Sequence, residues 1–115
     1  VIMIDDEDRE NEGDLVYAAA FSSPQHVNSM AMHARGLICV ALSRSIASRL
    51  DLNPMVSSNT SSYETAFTIS VDAKDALTGI SAGERDDTIK ILANPISKSV
   101  ELVKPGHIFP LIAKD

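Results

Sequence analysis

The sequence predicts an α/β (α+β) fold. Three observations carry that expectation: short β-branched or apolar runs that end at turn residues, two helix-start signatures at Ser23-Pro24 and Ser81-Ala82-Gly83-Glu84, and the interleaving of the two along the chain. Val1-Ile2-Met3-Ile4 reads as a buried strand stopped by an acidic loop. Leu15 to Ala20 reads as a second strand, with Gly13 at the bend between them. Ser23 then caps a helix whose first position is Pro24; Val27, Met30, Ala31 and Ala34 follow at helical spacing, and Gly36 ends it. Leu37 to Leu42 is a continuous apolar strand, and Ser43 to Leu50 a short helix with Ile46, Ala47 and Leu50 on one face.

Residues 51–62 are polar and turn-rich. Phe67, Ile69 and Val71 then alternate with Thr68, Ser70 and Asp72, the period-two pattern of a strand with one wet face. Ser81 and Glu84 match a capping box, and the helix they open turns Ile89, Leu92 and Ala93 inward before Asn94-Pro95 stops it. A loose stretch leads to Pro105-Gly106-His107, read as a turn, and Ile108-Phe109-Pro110-Leu111. Repeats, low-complexity segments and an interdomain linker are lacking, so residues 1–115 read as one domain. Both ends fall beside apolar runs, which reads as a partial domain cut from a longer chain.

Composition narrows the function. The hydrophobic content of 44% with 23% charged residues is that of a globular chain rather than a disordered one. Apolar runs stay well short of the roughly 18–20 residues of a membrane span, and no signal-peptide pattern opens the chain. A net charge of −6, no tryptophan and no basic patch argue against a nucleic-acid groove. The single cysteine, Cys39, precludes an internal disulfide and suits the cytoplasm.

The charge is concentrated. Between Asp5 and Asp14, seven acids stand against one arginine, so this loop carries the net charge of the whole chain. Packing carboxylates this densely costs repulsion unless a cation, a proton or hydrogen-bond donors offset it. A solvated charged loop is the plain alternative, but its flanks read as strand. A calcium loop with Asp8 at its first position puts Gly13 where it belongs, yet Ala19 stands where the bidentate glutamate is required. Magnesium held by one or two carboxylates, with water and substrate oxygens, fits better. Arg9 adds a planar donor fork for an oxyanion or sugar oxygen. Surplus carboxylates suit acid–base work, and a divalent cation can polarise a carbonyl.

Other candidates are weaker alone. His26 falls in a first helical turn and reads as surface; His33 falls in a last turn, where the helix dipole favours a cation. His107, between proline and glycine residues, has a loop address shared by functional and structural side chains. Cys39 in an apolar strand reads as core. Thr78-Gly79 is a turn whose amides could cradle a phosphate.

Taken together, Asp5-Asp6-Glu7-Asp8-Arg9-Glu10-Asn11-Glu12-Gly13-Asp14-Leu15, His33 to Cys39, Asn59 to Tyr63, Thr78 to Ala82 and Pro105 to Leu111 closely resemble, in order, the 3,4-dihydroxy-2-butanone 4-phosphate synthase family of riboflavin biosynthesis. The resemblance implies that family's mixed sheet packed by helices, truncated here at both ends. It implies conversion of D-ribulose 5-phosphate to 3,4-dihydroxy-2-butanone 4-phosphate and formate, with Mg²⁺ or Mn²⁺, in a cytoplasmic homodimer. Carried over by motif, Glu10 is a metal ligand, Arg9 and Asp14 contact the sugar phosphate, and His107 is required for catalysis. Asp5, Glu12, Cys39 and Thr78 match further pocket residues. Leu77 stands where a second threonine often precedes Thr78, and Ser97 to Glu101 with Lys104 replace the family's usual loop. The family's later Arg-x-Gly-His-Thr-Glu-Ala motif, with its metal-ligating histidine, is not within these 115 residues. The segment alone is therefore expected to be inactive, which leaves a cation-binding module or an inert fragment as the alternatives for it in isolation.

Overall fold

The computed structural model describes residues 1–4, 6–8 and 10–114. Two strands, β1 (Ile2–Ile4) and β2 (Gly13–Leu15), form an antiparallel hairpin on their own, with Ile2 opposite Leu15 and Ile4 opposite Gly13. A three-stranded mixed sheet has the order β3-β5-β4, where β3 is Cys39–Leu42, β4 is Val71–Ala73 and β5 is Leu102–Ile112. β3 runs parallel to β5 and β4 antiparallel to it. Helices α1 (Pro24–Ser29), α2 (Arg44–Arg49) and α3 (Ala82–Ala93) complete the fold. The expected α+β class with a mixed sheet is present. None of the described helices is long and apolar enough to cross a membrane.

All three helices start where hydroxyl caps predict. Ser23, Ser43 and Ser81 each accept the backbone N–H three residues on, at 3.1, 3.3 and 3.1 Å. Val27, Leu50, Ile89 and Leu92 from the helical side meet Val40, Leu42, Val71 and Ile108 from the sheet in one buried core. β3 shows the alternation plainly: Val40 and Leu42 are buried, whereas Cys39 is half-buried and Ala41 exposed on the opposite face. α1 continues into a π-helical turn at Met30–Ala34, closed by Arg35 at φ 59° and Gly36 at φ 74°.

Four expectations are corrected. Val1 to Ile4 forms a strand but not a buried one; Ile2, Met3 and Ile4 are 69, 59 and 79% exposed, because β1 pairs only with β2. The second strand ends at Leu15 rather than Ala20, and Ala19–Phe21 is a 3₁₀ turn. Val16 N–H still donates to Val1 O at 2.7 Å. The face of Thr68, Ser70 and Asp72 is dry, since all three are buried. Each finds a partner in β5: Thr68 Oγ1 donates to Pro110 O, Ser70 Oγ accepts Gly106 N–H, and Asp72 accepts from His107. His107, finally, is not in a separate turn but within β5. Val71 lies opposite Ile108 while the next residue, Asp72, lies opposite Val103, so Lys104 to His107 bulge out of the ladder.

Candidate active site

A cleft of about 700 Å³ runs between the hairpin, the π-helical turn and the outer face of the mixed sheet. Glu10, Glu12, Asp14 and Cys39 all line it, so four of the residues singled out in the sequence come together. Asp14 lies in β2 opposite Met3, and Cys39 opens β3 opposite Phe109. Burial pushes the Cys39 thiol up, and the nearby Asp14 carboxylate pushes it further. A thiol so placed stays protonated, an uncharged wall of the cleft rather than a nucleophile. Arg9 and Asp5, expected beside these residues, lie outside the described residues.

Among the described residues, no three His, Cys, Asp or Glu side chains are gathered as a metal cluster. Glu10, Glu12 and Asp14 offer oxygen donors only, along one wall. That donor set fits a hard cation held by one or two carboxylates and completed by water or substrate, not an all-protein cage. Strands on both sides of the acidic loop also dispose of the helix-loop-helix calcium arrangement.

His107 and Asp72 form a second cluster, with the Thr78-Gly79 turn against it. The His107 N–H donates to Asp72 Oδ1 at 2.7 Å, and its ring Nδ1 lies 3.0 Å from Asp72 Oδ2. Asp72 is buried while the His107 side chain is 43% exposed. A carboxylate facing Nδ1 favours the tautomer that carries its proton there, which leaves Nε2 as the acceptor. The bulge needs Gly106: a Cβ there would sit 2.1 Å from the Val71 carbonyl carbon. Gly79, at φ 80°, is wedged against the same carboxylate, where a Cβ would sit 2.1 Å from Asp72 Oδ2. The preceding Thr78 Oγ1 donates to Glu84 Oε1 at 3.4 Å.

β5 links the two clusters. Ile108 and Pro110 point into the core, so strand alternation puts Phe109 and Leu111 on the other side. Leu111 lines the carboxylate cleft and Phe109 is the cross-strand partner of Cys39. His107 is two residues from Phe109, roughly 7 Å along the strand. Thr78 does not line the cleft; its neighbour Gly79 is the residue that abuts the Asp72 carboxylate.

Sequence reasoning missed three residues. Asp72 was read as a wet-face residue; the signal available was that a Thr-Ser-Asp face opposite a β-branched one also suits a strand facing a polar bulge. His26 is half-buried rather than surface, lines the cleft and stacks on Tyr17 with ring centroids 4.6 Å apart. Arg35 lines the cleft at positive φ, a conformation no sequence pattern announces.

The sequence profile of a family described as 3,4-dihydroxy-2-butanone 4-phosphate synthase matches residues 1–115. A protein of that name from Sulfurospirillum multivorans is 74% identical over 115 residues, which is all of this chain and 32% of the relative. Another, from Helicobacter pylori strain J99, is 61% identical over the same span and 33% of its length. The chain thus spans about a third of the length of these curated relatives. Among solved structures, a 3,4-dihydroxy-2-butanone 4-phosphate synthase in complex with two magnesium ions superposes with a TM-score of 0.96 at 40% identity, covering 99% of this chain and 54% of that one.

Proposed function

Because this chain belongs to the 3,4-dihydroxy-2-butanone 4-phosphate synthase family of enzymes, we propose that it supplies the carboxylates and the histidine with which the complete protein converts D-ribulose 5-phosphate to 3,4-dihydroxy-2-butanone 4-phosphate and formate. The observation that carries this reading is the convergence of Glu10, Glu12, Asp14 and Cys39 on one cleft, with His107 two residues along β5 from Phe109, the cross-strand partner of Cys39. Enediol formation, the first event the resemblance implies, removes a proton from a carbon next to a carbonyl. His107 Nε2, freed by the Nδ1 contact to Asp72, is the base this geometry offers. Glu10 would hold Mg²⁺ or Mn²⁺, which would supply polarisation of the substrate carbonyl when bound. Arg9 and Asp14 contact the sugar phosphate, Thr78 orders the loop beside the histidine, and Cys39 closes the cleft with an uncharged surface.

The family's cytoplasmic homodimer goes with this reading, and the exposed apolar edge of β1 is what favours a covering surface. On the same reading the 115 residues by themselves are inactive. The test is chelator-sensitive formate release from D-ribulose 5-phosphate by the complete protein. Glu10→Gln should abolish turnover, by about a thousandfold or more, while the far-ultraviolet spectrum and Tm hold. Formate from the Gln variant would sink the metal role of Glu10. Absence of formate from the unsubstituted protein would sink the activity.

A further inference from the structure

We infer that Glu84 is a positioning residue, a clamp that sets the Leu77–Gly79 loop against Asp72 and so fixes where Thr78 and His107 stand. The inference rests on the functional reading above for its kinetic consequences, but its geometry stands apart from it. In a capping box the glutamate side chain reaches back to the N-cap's own N–H. Here it reaches further. Leu77 N–H donates to Glu84 Oε2 at 2.5 Å, and Thr78 Oγ1 donates to Oε1 at 3.4 Å. Ser81 Oγ donates to the same Oε1 at 3.3 Å while it accepts the Glu84 N–H at 3.1 Å.

The carboxylate therefore fastens the loop ahead of the helix as well as serving the cap. Loop position matters because Gly79 abuts the Asp72 carboxylate so closely that even a methyl group would collide with it. A shift of the loop by a few tenths of an ångström is a shift of the surface on which Asp72 rests. Asp72 holds His107 by its backbone N–H and its ring at once, so the displacement passes to the imidazole. The strand that carries Asp72 is braced as well: Ala73 N–H donates to Thr88 Oγ1 at 2.8 Å, and that hydroxyl donates to Glu84 O at 3.1 Å. Glu84 is thus tied by its side chain to the loop and by its carbonyl, through Thr88, to the strand that carries Asp72.

Two variants of the complete protein separate clamp from cap. Glu84→Gln removes the charged acceptor of Leu77 N–H; Ser81→Ala removes the helix cap and leaves that bond in place. Glu84→Gln should lower kcat/KM for D-ribulose 5-phosphate by about tenfold, speed hydrogen exchange at the Leu77 amide and move the His107 ring ¹⁵N shifts. Ser81→Ala should lower Tm, with kcat/KM within about twofold and the His107 shifts unmoved. Unchanged His107 shifts and Leu77 exchange in Glu84→Gln, or equal changes in both variants, would overturn the clamp. The spectroscopic readouts need no turnover, so they decide the clamp even if the unsubstituted protein releases no formate.

Discussion

Residues 1–16 and residues 68–112 hold the two parts of the candidate site in opposite ways. The acids ride on a hairpin whose strands, among the described residues, pair with each other alone and whose first strand exposes Ile2, Met3 and Ile4. The histidine, though its side chain is partly exposed, stands on a braced base: its neighbours Ile108 and Val71 are fully buried, Asp72 holds two of its atoms, and Gly106 and Gly79 pack closely against Val71 and Asp72. On the proposed function, the difference matches what each group would have to do. A carboxylate that binds a hydrated cation keeps its charge in water, and ligand approach sets its geometry. An imidazole that must present one particular nitrogen needs its tautomer fixed beforehand, which takes a buried partner and a rigid backbone.

The sharpest way to test that contrast is to add one methyl group to each region. In Gly106→Ala the new Cβ meets backbone atoms of Val71 and Asp72 at 2.1–2.3 Å, and backbone cannot rotate away. Loss of about 4 kcal/mol or more is expected, read by urea denaturation. In Gly13→Ala the nearest atoms are Ile2 Cγ2 at 3.8 Å and Met3 O at 3.9 Å, ordinary contact distances. That change should stay within about 1 kcal/mol. Equal losses would show that the hairpin is braced as firmly as the sheet.

Removing one charge from each region should separate them next. Asp72→Asn keeps the shape and can still accept the His107 N–H, but an amide facing Nδ1 favours the other tautomer and takes the lone pair from Nε2. A fall in kcat of about a hundredfold, or ~2.7 kcal/mol in barrier, is expected in the complete protein, with the ¹⁵N tautomer signature inverted. Glu12→Gln, exposed and screened, should act on KM by about tenfold or less. A hundredfold loss from Glu12→Gln with none from Asp72→Asn would reverse the assignment of roles.

The same contrast explains what could be read from the sequence. Helices were legible because their starts are local: Ser23-Pro24 and Ser81 to Glu84 declare themselves within four residues. The acidic loop was legible because charge density needs no fold to be noticed, and Glu10, Glu12 and Asp14 do share a cleft. Burial of strands was not legible, since it depends on the neighbour. Val1 to Ile4 look like core yet pair with one short strand, and Thr68, Ser70 and Asp72 look wet yet face the β5 bulge. Asp72 escaped notice for that reason: its role comes from a residue 35 positions away.

The smallest effect concerns protons. The Glu84 carboxyl is held below the ordinary carboxylate range, first by the Leu77 N–H; partial desolvation opposes this, and Ser81, Gly79 and Thr78 add to the lowering. A carboxyl lowered in the folded state contributes stability that is present above its unfolded value and lost as pH falls through the folded one. Loop protection should therefore persist down to the usual glutamate range near about 4.3 and fade only below it. The measurement is hydrogen exchange at the Leu77 amide relative to amides within α3, across acidic pH. Asp75, Asp87 and Glu101 share a shallow pocket with Glu84 and Lys74, so the Glu84→Gln protein provides the baseline to subtract. A pH-dependent difference confined to the unsubstituted protein assigns the fading to Glu84. A difference that already closes near neutral pH would assign loop order to another group, and the bracing of the histidine would then owe nothing to the first turn of α3.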